Sequence, residues 1–156
     1  MRLRNFLHIL AISVALAGYA AWVSSHGDQE SSPASAASDT FPGTDIPLLN
    51  VAEAEALWKK SSTLFLDVRS YPDYEFGHIQ GAINLPEEEF DTRFAALKPQ
   101  LEQAEAIVIY CKNVDCGKSY WSALRLRQRG FKQIQIYPHG WYEWCEYTLP
   151  ITGQTS

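Results

Sequence analysis

Two of this chain's three cysteines, Cys111 and Cys116, stand five positions apart in a polar loop, in surroundings that suit a reactive sulfur. Cys111 follows Ile107-Val108-Ile109-Tyr110, a short apolar run whose β-rich composition reads as a buried strand. After it come Lys112-Asn113-Val114-Asp115-Cys116-Gly117-Lys118, and then Ser119, a residue type that caps helices. The helix that follows carries Ala123, Leu124 and Leu126 and stops at Gly130. A strand, a tight loop and a helix in that order bring unpaired N–H groups and a helix dipole together, which favours negative charge. A cysteine at the base of such a loop is expected to be partly thiolate near neutral pH and therefore nucleophilic. Lys118 adds a positive charge beside it, and Lys112, Gly117 and Ser119 complete the set expected to hold an anion. An isolated cysteine at a strand end reads more simply as a small buried side chain. The loop shifts that balance toward chemistry.

The elements that must position this loop follow from hydrophobic patterning. Ile46-Pro47-Leu48-Leu49 suits a short edge strand, because proline is tolerated there. Asn50 caps a predicted helix over residues 51–60. Leu64-Phe65-Leu66, ending at Asp67, suits a buried parallel strand. Residues 67–86 hold two glycines and two prolines and read as loop, with a short strand near residues 82–84. Two helical pieces, over 87–97 and 99–104, precede the Ile107 strand. Ile134-Gln135-Ile136-Tyr137 is a further strand, a last helix over 141–147 opens at Gly140, and Pro150 is expected to end the fold. Strands alternating with helices imply an α/β domain on a mainly parallel sheet.

Composition narrows the function classes. Hydrophobic content of 46% in 156 residues indicates one packed domain plus an extension. A net charge of -5 without a basic stripe argues against nucleic acid as a partner. Three cysteines are too few for a disulfide scaffold. Four residues, not two, separate Cys111 from Cys116, so no metal site is expected, and nothing calls for a cofactor.

The amino terminus has its own signal. Arg2 and Arg4 precede an apolar run over residues 6–23, 18 residues long. As a helix that run reaches about 27 Å, close to the thickness of a bilayer's hydrocarbon core. It reads as a signal anchor, with a cleaved signal peptide as the alternative. Residues 24–44, rich in Ser, Ala, Gly and Pro, read as a flexible tether. The expected organisation is therefore a leader over 1–23, a linker over 24–44, a domain over 45–151 and a tail over 152–156. With the arginines in the cytoplasm, the domain is expected to face the periplasm from a bacterial inner membrane, or to be soluble there after cleavage.

Three groups of residues then resemble the rhodanese-like domains. The first is Asp67-x-Arg69, followed by Tyr74, His78-Ile79-x-Gly81-Ala82 and Asn84-Leu85-Pro86. The second is Tyr110-Cys111 with its loop, Ser119 and Gly130-Phe131; the third is Gly140-Trp141-x-x-Trp144 with Leu149-Pro150-Ile151. The resemblance implies a rhodanese-like fold of about five mainly parallel strands flanked by helices. It implies that Cys111 carries a sulfane sulfur as a persulfide, taken from a small thiosulfate-like anion and passed to a thiol acceptor. The loop departs from the family pattern, C-x4-R then Ser, in being longer. Lys118 stands where arginine precedes the serine, and Cys116 stands where arginine falls when counted from Cys111.

Three readings follow. Cys111 is the nucleophile of a sulfurtransferase, with Cys116 as a resolving thiol. Alternatively, Cys111 and Cys116 form a thiol–disulfide redox pair or an inert structural disulfide, or the domain is a non-catalytic binding module. Phosphatase chemistry is disfavoured by the missing arginine clamp. Asp67 and Arg69 are expected to lock the loop to the sheet through an ion pair, His78 and Gly81 to be structural, and Cys145 to be packed and free.

Overall fold

The computed structural model describes residues 40–153. The apolar run over 6–23 and most of the tether lie outside the described residues, as do positions 154–156. Among the described residues no helix is long and apolar enough to cross a membrane.

Helix α1 (Val51–Trp58) begins at a complete capping box: Asn50 Oδ1 accepts from the Glu53 N–H while the Glu53 carboxylate accepts from the Asn50 N–H. Strand β1 (Thr63–Asp67) follows, then helix α2 (Tyr71–Phe76), strand β2 (Gly77–Ile79) and strand β3 (Ile83–Asn84). A 3-10 turn (Glu87–Glu89) leads into α3 (Phe90–Gln103), strand β4 (Ala106–Tyr110), helix α4 (Lys118–Gln128), strand β5 (Ile134–Tyr137), helix α5 (Gly140–Glu146) and strand β6 (Ile151–Gly153).

The sheet has the order β3-β1-β4-β5 with every pairing parallel. A fifth strand is only begun. Leu49 N–H donates to Ile136 O and Ile136 N–H to Pro47 O, a single parallel bridge before the chain turns into α1. Pro47 brings no N–H of its own, which limits the ladder there. β2 and β6 pair antiparallel as a separate ribbon. The chain thus stays in the fold beyond Pro150, with Thr152 opposite His78.

Strand periodicity distributes the core between the two faces of the sheet. Ile107, Ile109 and Cys111 share one core cluster with Phe90 and Leu101 of α3 and with Ala123 and Leu126 of α4. Val108 and Tyr110 share the other with Ala54 of α1 and with Trp141 and Trp144 of α5. Cys111 therefore lies on the α4 side because it is even-numbered steps from Ile107 and Ile109.

Three expectations need correction. Residues 71–76 are helical rather than loop, because Ser70 caps the turn and Pro72 sits in its first turn, where no N–H is needed. The two pieces around Pro99 are one helix. Pro99 and Ala95 are both exposed, so the carbonyl that loses its intrahelical donor can turn to water. Ser119 does not cap α4: Gly117 occupies the N-cap without a side-chain hydrogen bond, and Ser119 is buried inside the first turn.

Candidate functional site

β4 ends at Tyr110, and Cys111 sits at its carboxyl end, 2% exposed. Its sulfur is bonded to that of Cys116, with 6.2 Å between the two Cα atoms. The loop between them turns on itself through the Cys116 N–H, which donates to Asn113 O. Both cysteines line a cleft of about 260 Å³, together with Arg69, Ser70 and Asp73 from the end of β1 and the start of α2. A larger hollow of about 350 Å³ lies at the opposite end of β4 beside Ile107, lined by no cysteine, serine or histidine.

One wall of the cleft rests on a buried network. Arg69 Nε donates to both Asp67 carboxylate oxygens, at 3.0 and 3.1 Å. Its Nη2 donates to Asp67 Oδ2 at 2.5 Å and to Gly77 O at 2.6 Å. Tyr110 reaches the same carboxylate from β4, its hydroxyl donating to Asp67 Oδ2 at 2.7 Å and accepting from the Ile79 N–H at 3.1 Å. The Arg69 guanidinium lies 4.7 Å from the Trp141 ring centroid. Burial alone would lower the Arg69 pKa, but the hydrogen bond and charge of Asp67 outweigh it and hold the guanidinium above its usual value. Burial, reinforced by the Asp67 charge, likewise pushes the Tyr110 phenol well above its usual range. Arg69 is thus a fixed cation at the cleft wall.

The other cations differ in availability. Lys118 lines the cleft, but its ammonium is paired with the Glu88 carboxylate from the 3-10 turn. That hydrogen bond holds Glu88 below its usual value. Lys112 lies 5.6 Å above the Tyr142 ring and has no carboxylate partner among the described residues. Gly117 and Ser119 stand at the α4 start and are not among the cleft-lining residues. Asp73 and Asp115 bring acidic groups to the cleft, so its cationic character is moderate.

α5 holds the loop from beneath. The Trp141 N–H donates to Cys111 O at 2.9 Å and the Tyr142 N–H to Lys112 O at 3.1 Å. Gly140 makes this approach possible. Its φ is +59°, and a Cβ there would stand 2.2 Å from Cys111 O.

Beyond Arg69, the residues from Tyr74 to Asn84 are tied to one another and to the network by hydrogen bonds. His78 Nδ1 lies 2.9 Å from Tyr74 O, and the two rings stack at 3.8 Å. The Tyr74 hydroxyl donates to Ala82 O, and Gly81 makes the intervening turn at φ +82°. Asn84 Nδ2 donates to Asp67 O and Arg69 O, tying β3 to the network. Cys145 is free and partly buried, and burial pushes its thiol up. Among the described residues no group of three His, Cys, Asp or Glu is placed to hold a metal.

Sequence reasoning brings Cys111, Cys116, Lys112 and Lys118 to one place, as the structure does. It misses Tyr110 as a partner of Asp67, although a tyrosine at the end of an otherwise apolar strand needs a hydrogen-bond partner. It also misses the Gly140 contact, whose only sequence trace is a glycine opening a helix.

A parallel four-stranded sheet with helices on both faces, a cysteine at the carboxyl end of a central strand and a loop leading into a helix define an α/β domain of the rhodanese type. The family model for the rhodanese-like domain matches residues 50–147, and the chain belongs to that family. The tRNA uridine(34) hydroxylase of Erwinia tasmaniensis is 28% identical over 122 residues, covering 72% of this chain and 34% of that protein. The chain spans less than half the length of the curated relatives it matches. The rhodanese-like domain of an Anabaena sp protein superposes with a TM-score of 0.56 at 24% identity, covering 71% of this chain and 80% of that one. A thiosulfate sulfurtransferase from Pseudomonas aeruginosa gives 0.57 at 21%, covering 71% of this chain and 21% of that one. These two likenesses concern the fold.

Proposed function

We propose that this domain transfers sulfane sulfur, with Cys111 as carrier once its bond to Cys116 is reduced. The observation that supports this most directly is the position of Cys111 at the base of the cleft, at a strand end, with a second cysteine within bonding distance. The Cys111 thiolate attacks the outer sulfur of a thiosulfate-like donor, the donor's S–S bond breaks, sulfite leaves, and a persulfide remains on Cys111. Lys112 and the fixed charge of Arg69 favour the anion's approach. A thiol acceptor then takes the sulfur. Alternatively, the Cys116 thiolate attacks Sγ of Cys111, forms the Cys111–Cys116 bond and expels hydrosulfide. That second route reduces the sulfur by two electrons and leaves the disulfide as product.

Location is part of the proposal. The apolar run over 6–23 and the tether after it suit a domain held outside the cytoplasm at a bacterial inner membrane, or released into the periplasm. An oxidising compartment is also where a disulfide persists. A second reading is favoured by the same bond: a dithiol–disulfide protein that carries electrons and no sulfur.

The test is intact mass of reduced protein after exposure to thiosulfate or a small persulfide. The wild type gains the mass of one sulfur, and Cys111→Ser does not. Cys116→Ser retains the added sulfur, whereas the wild type loses two hydrogens as hydrosulfide appears. Reduced protein that gains no sulfur from either donor, yet cycles between dithiol and disulfide, would establish the electron-carrier reading instead.

A further inference from the structure

Sulfur transfer from Cys111 requires a thiol, and the structure holds that sulfur in a disulfide. We propose that the exposed rim of Val114, Trp121 and Tyr142 receives a protein dithiol, whose thiolate attacks Sγ of Cys116 and releases Cys111 as the leaving thiolate. The proposal rests on the sulfur-transfer reading only for its purpose; its chemistry is disulfide reduction.

The two sulfurs are unequal. Cys111 is 2% exposed and packed in the core cluster with Ile109, Ala123 and Leu126. Cys116 is partly exposed on the loop that faces solvent. Exchange requires the incoming thiolate to reach one sulfur while the other departs with the bonding pair, and access therefore selects Cys116. Charge is a weaker guide than access, because the cleft around Cys111 holds Asp73 and Asp115 as well as its cations. Cys111 shares its cleft with Arg69, a guanidinium held in place by Asp67 and Gly77. A thiolate stabilised by neighbouring positive charge leaves faster.

Large apolar side chains are exposed on the disulfide loop and on the two helices that flank it. Val114 lies inside the ring closed by the disulfide and is 57% exposed. Trp121 is equally exposed, and its indole sits 3.7 Å from where a Cβ on Gly117, the neighbour of Cys116, would stand. Tyr142 is 47% exposed on the α5 side, beneath the Lys112 ammonium. A small thiol has no use for such a rim. A protein partner does, since tryptophan and tyrosine are the side chains that most often carry interface energy.

The electrons balance over two exchanges. The partner's thiolate displaces Cys111 and forms a mixed disulfide with Cys116. The partner's second thiol then attacks its own sulfur in that bond, closes the partner's disulfide and frees Cys116. Two electrons pass from the dithiol to the pair, and its two protons pass to the freed thiolates or to solvent.

Two measurements on the oxidised full-length chain test this without any sulfur donor. In the first, glutathione and iodoacetamide are added together and the products are digested with trypsin, which cuts after Lys112 and so separates the cysteines. Glutathione is expected on Cys116 and the alkyl group on Cys111; the reverse pattern, or an even split, overturns the assignment. In the second, thioredoxin as the protein dithiol is compared with dithiothreitol. Thioredoxin is expected to reduce the pair at least about 10-fold faster, and Trp121→Ala or Tyr142→Ala to slow thioredoxin about 5-fold while leaving dithiothreitol unaffected. Thioredoxin no faster than dithiothreitol, or variants that slow both equally or neither, overturns the docking rim. Chemically reduced protein can still be loaded with sulfur in either case, so failure here is distinct from failure of the sulfur-transfer reading.

Discussion

At Arg69 a full positive charge is 4% exposed, and its stability depends on one carboxylate. Replacing that carboxylate by an amide leaves the guanidinium buried without a counter-charge. Asp67→Asn is therefore expected to destabilise the domain by about 3–5 kcal/mol, measurable by chemical denaturation. An Asp67→Asn protein as stable as the wild type would show that the pair is dispensable. The three cysteines divide by environment. Burial raises the Cys145 thiol above its ordinary value of 9.0, so at any given pH its thiolate fraction is smaller than that of an exposed thiol and is still rising at pH 9. Its alkylation at pH 7 should be slower than that of an exposed model thiol and should accelerate above pH 9, as followed by mass spectrometry of the oxidised protein.

Among the elements, α5 and the Cys111 loop meet through backbone, with Gly140 as the point of contact. A methyl group there would collide with a carbonyl that cannot move without shifting Cys111 itself. Gly140→Ala is expected to cost about 2 kcal/mol or more, from a strained φ and the forced separation together. The same variant should form the Cys111–Cys116 bond more slowly, read by free-thiol titration during reoxidation. Helix α4 ends at Gly130 through a different glycine device. The Gly130 N–H donates to Arg127 O and the Phe131 N–H to Leu126 O, the double bond pattern of a Schellman turn. Open space surrounds the Gly130 Cβ position, so only its positive φ resists substitution there.

For the molecule as a whole, the disulfide closes a short loop, and its effect on stability is correspondingly limited. Chain entropy for a separation of five residues amounts to about 2 kcal/mol. Reduction should lower the unfolding free energy by that order, leaving a folded domain whose sheet and both cores are unchanged. Denaturation with and without reductant measures it, and Cys116→Ser should match the reduced wild type. Unfolding on reduction would mean that the bond is a structural staple and that its cycling could not accompany function. The two clusters on opposite faces of the sheet, neither containing Cys116 among its buried members, are the reason to expect a folded reduced state.

Much of this was legible in the order of residues, because local physics acts over a few positions. The apolar run at 107–110 suits a buried strand with Cys111 at its carboxyl end, and Gly130 stops the next helix. The Asn50 cap and the Asp67–Arg69 pair are equally short-range. What required the tertiary structure were contacts between residues far apart in the chain. Glu88 takes the Lys118 charge across 30 positions, Tyr110 finds Asp67 across 43, and Gly140 admits α5 against Cys111 O. Such contacts depend on how elements pack, and packing leaves no periodic trace in the sequence. Likewise, two cysteines five residues apart could be a nucleophile with its resolving partner or an oxidised pair. Only the folded loop, bringing their Cα atoms within 6.2 Å, shows them joined.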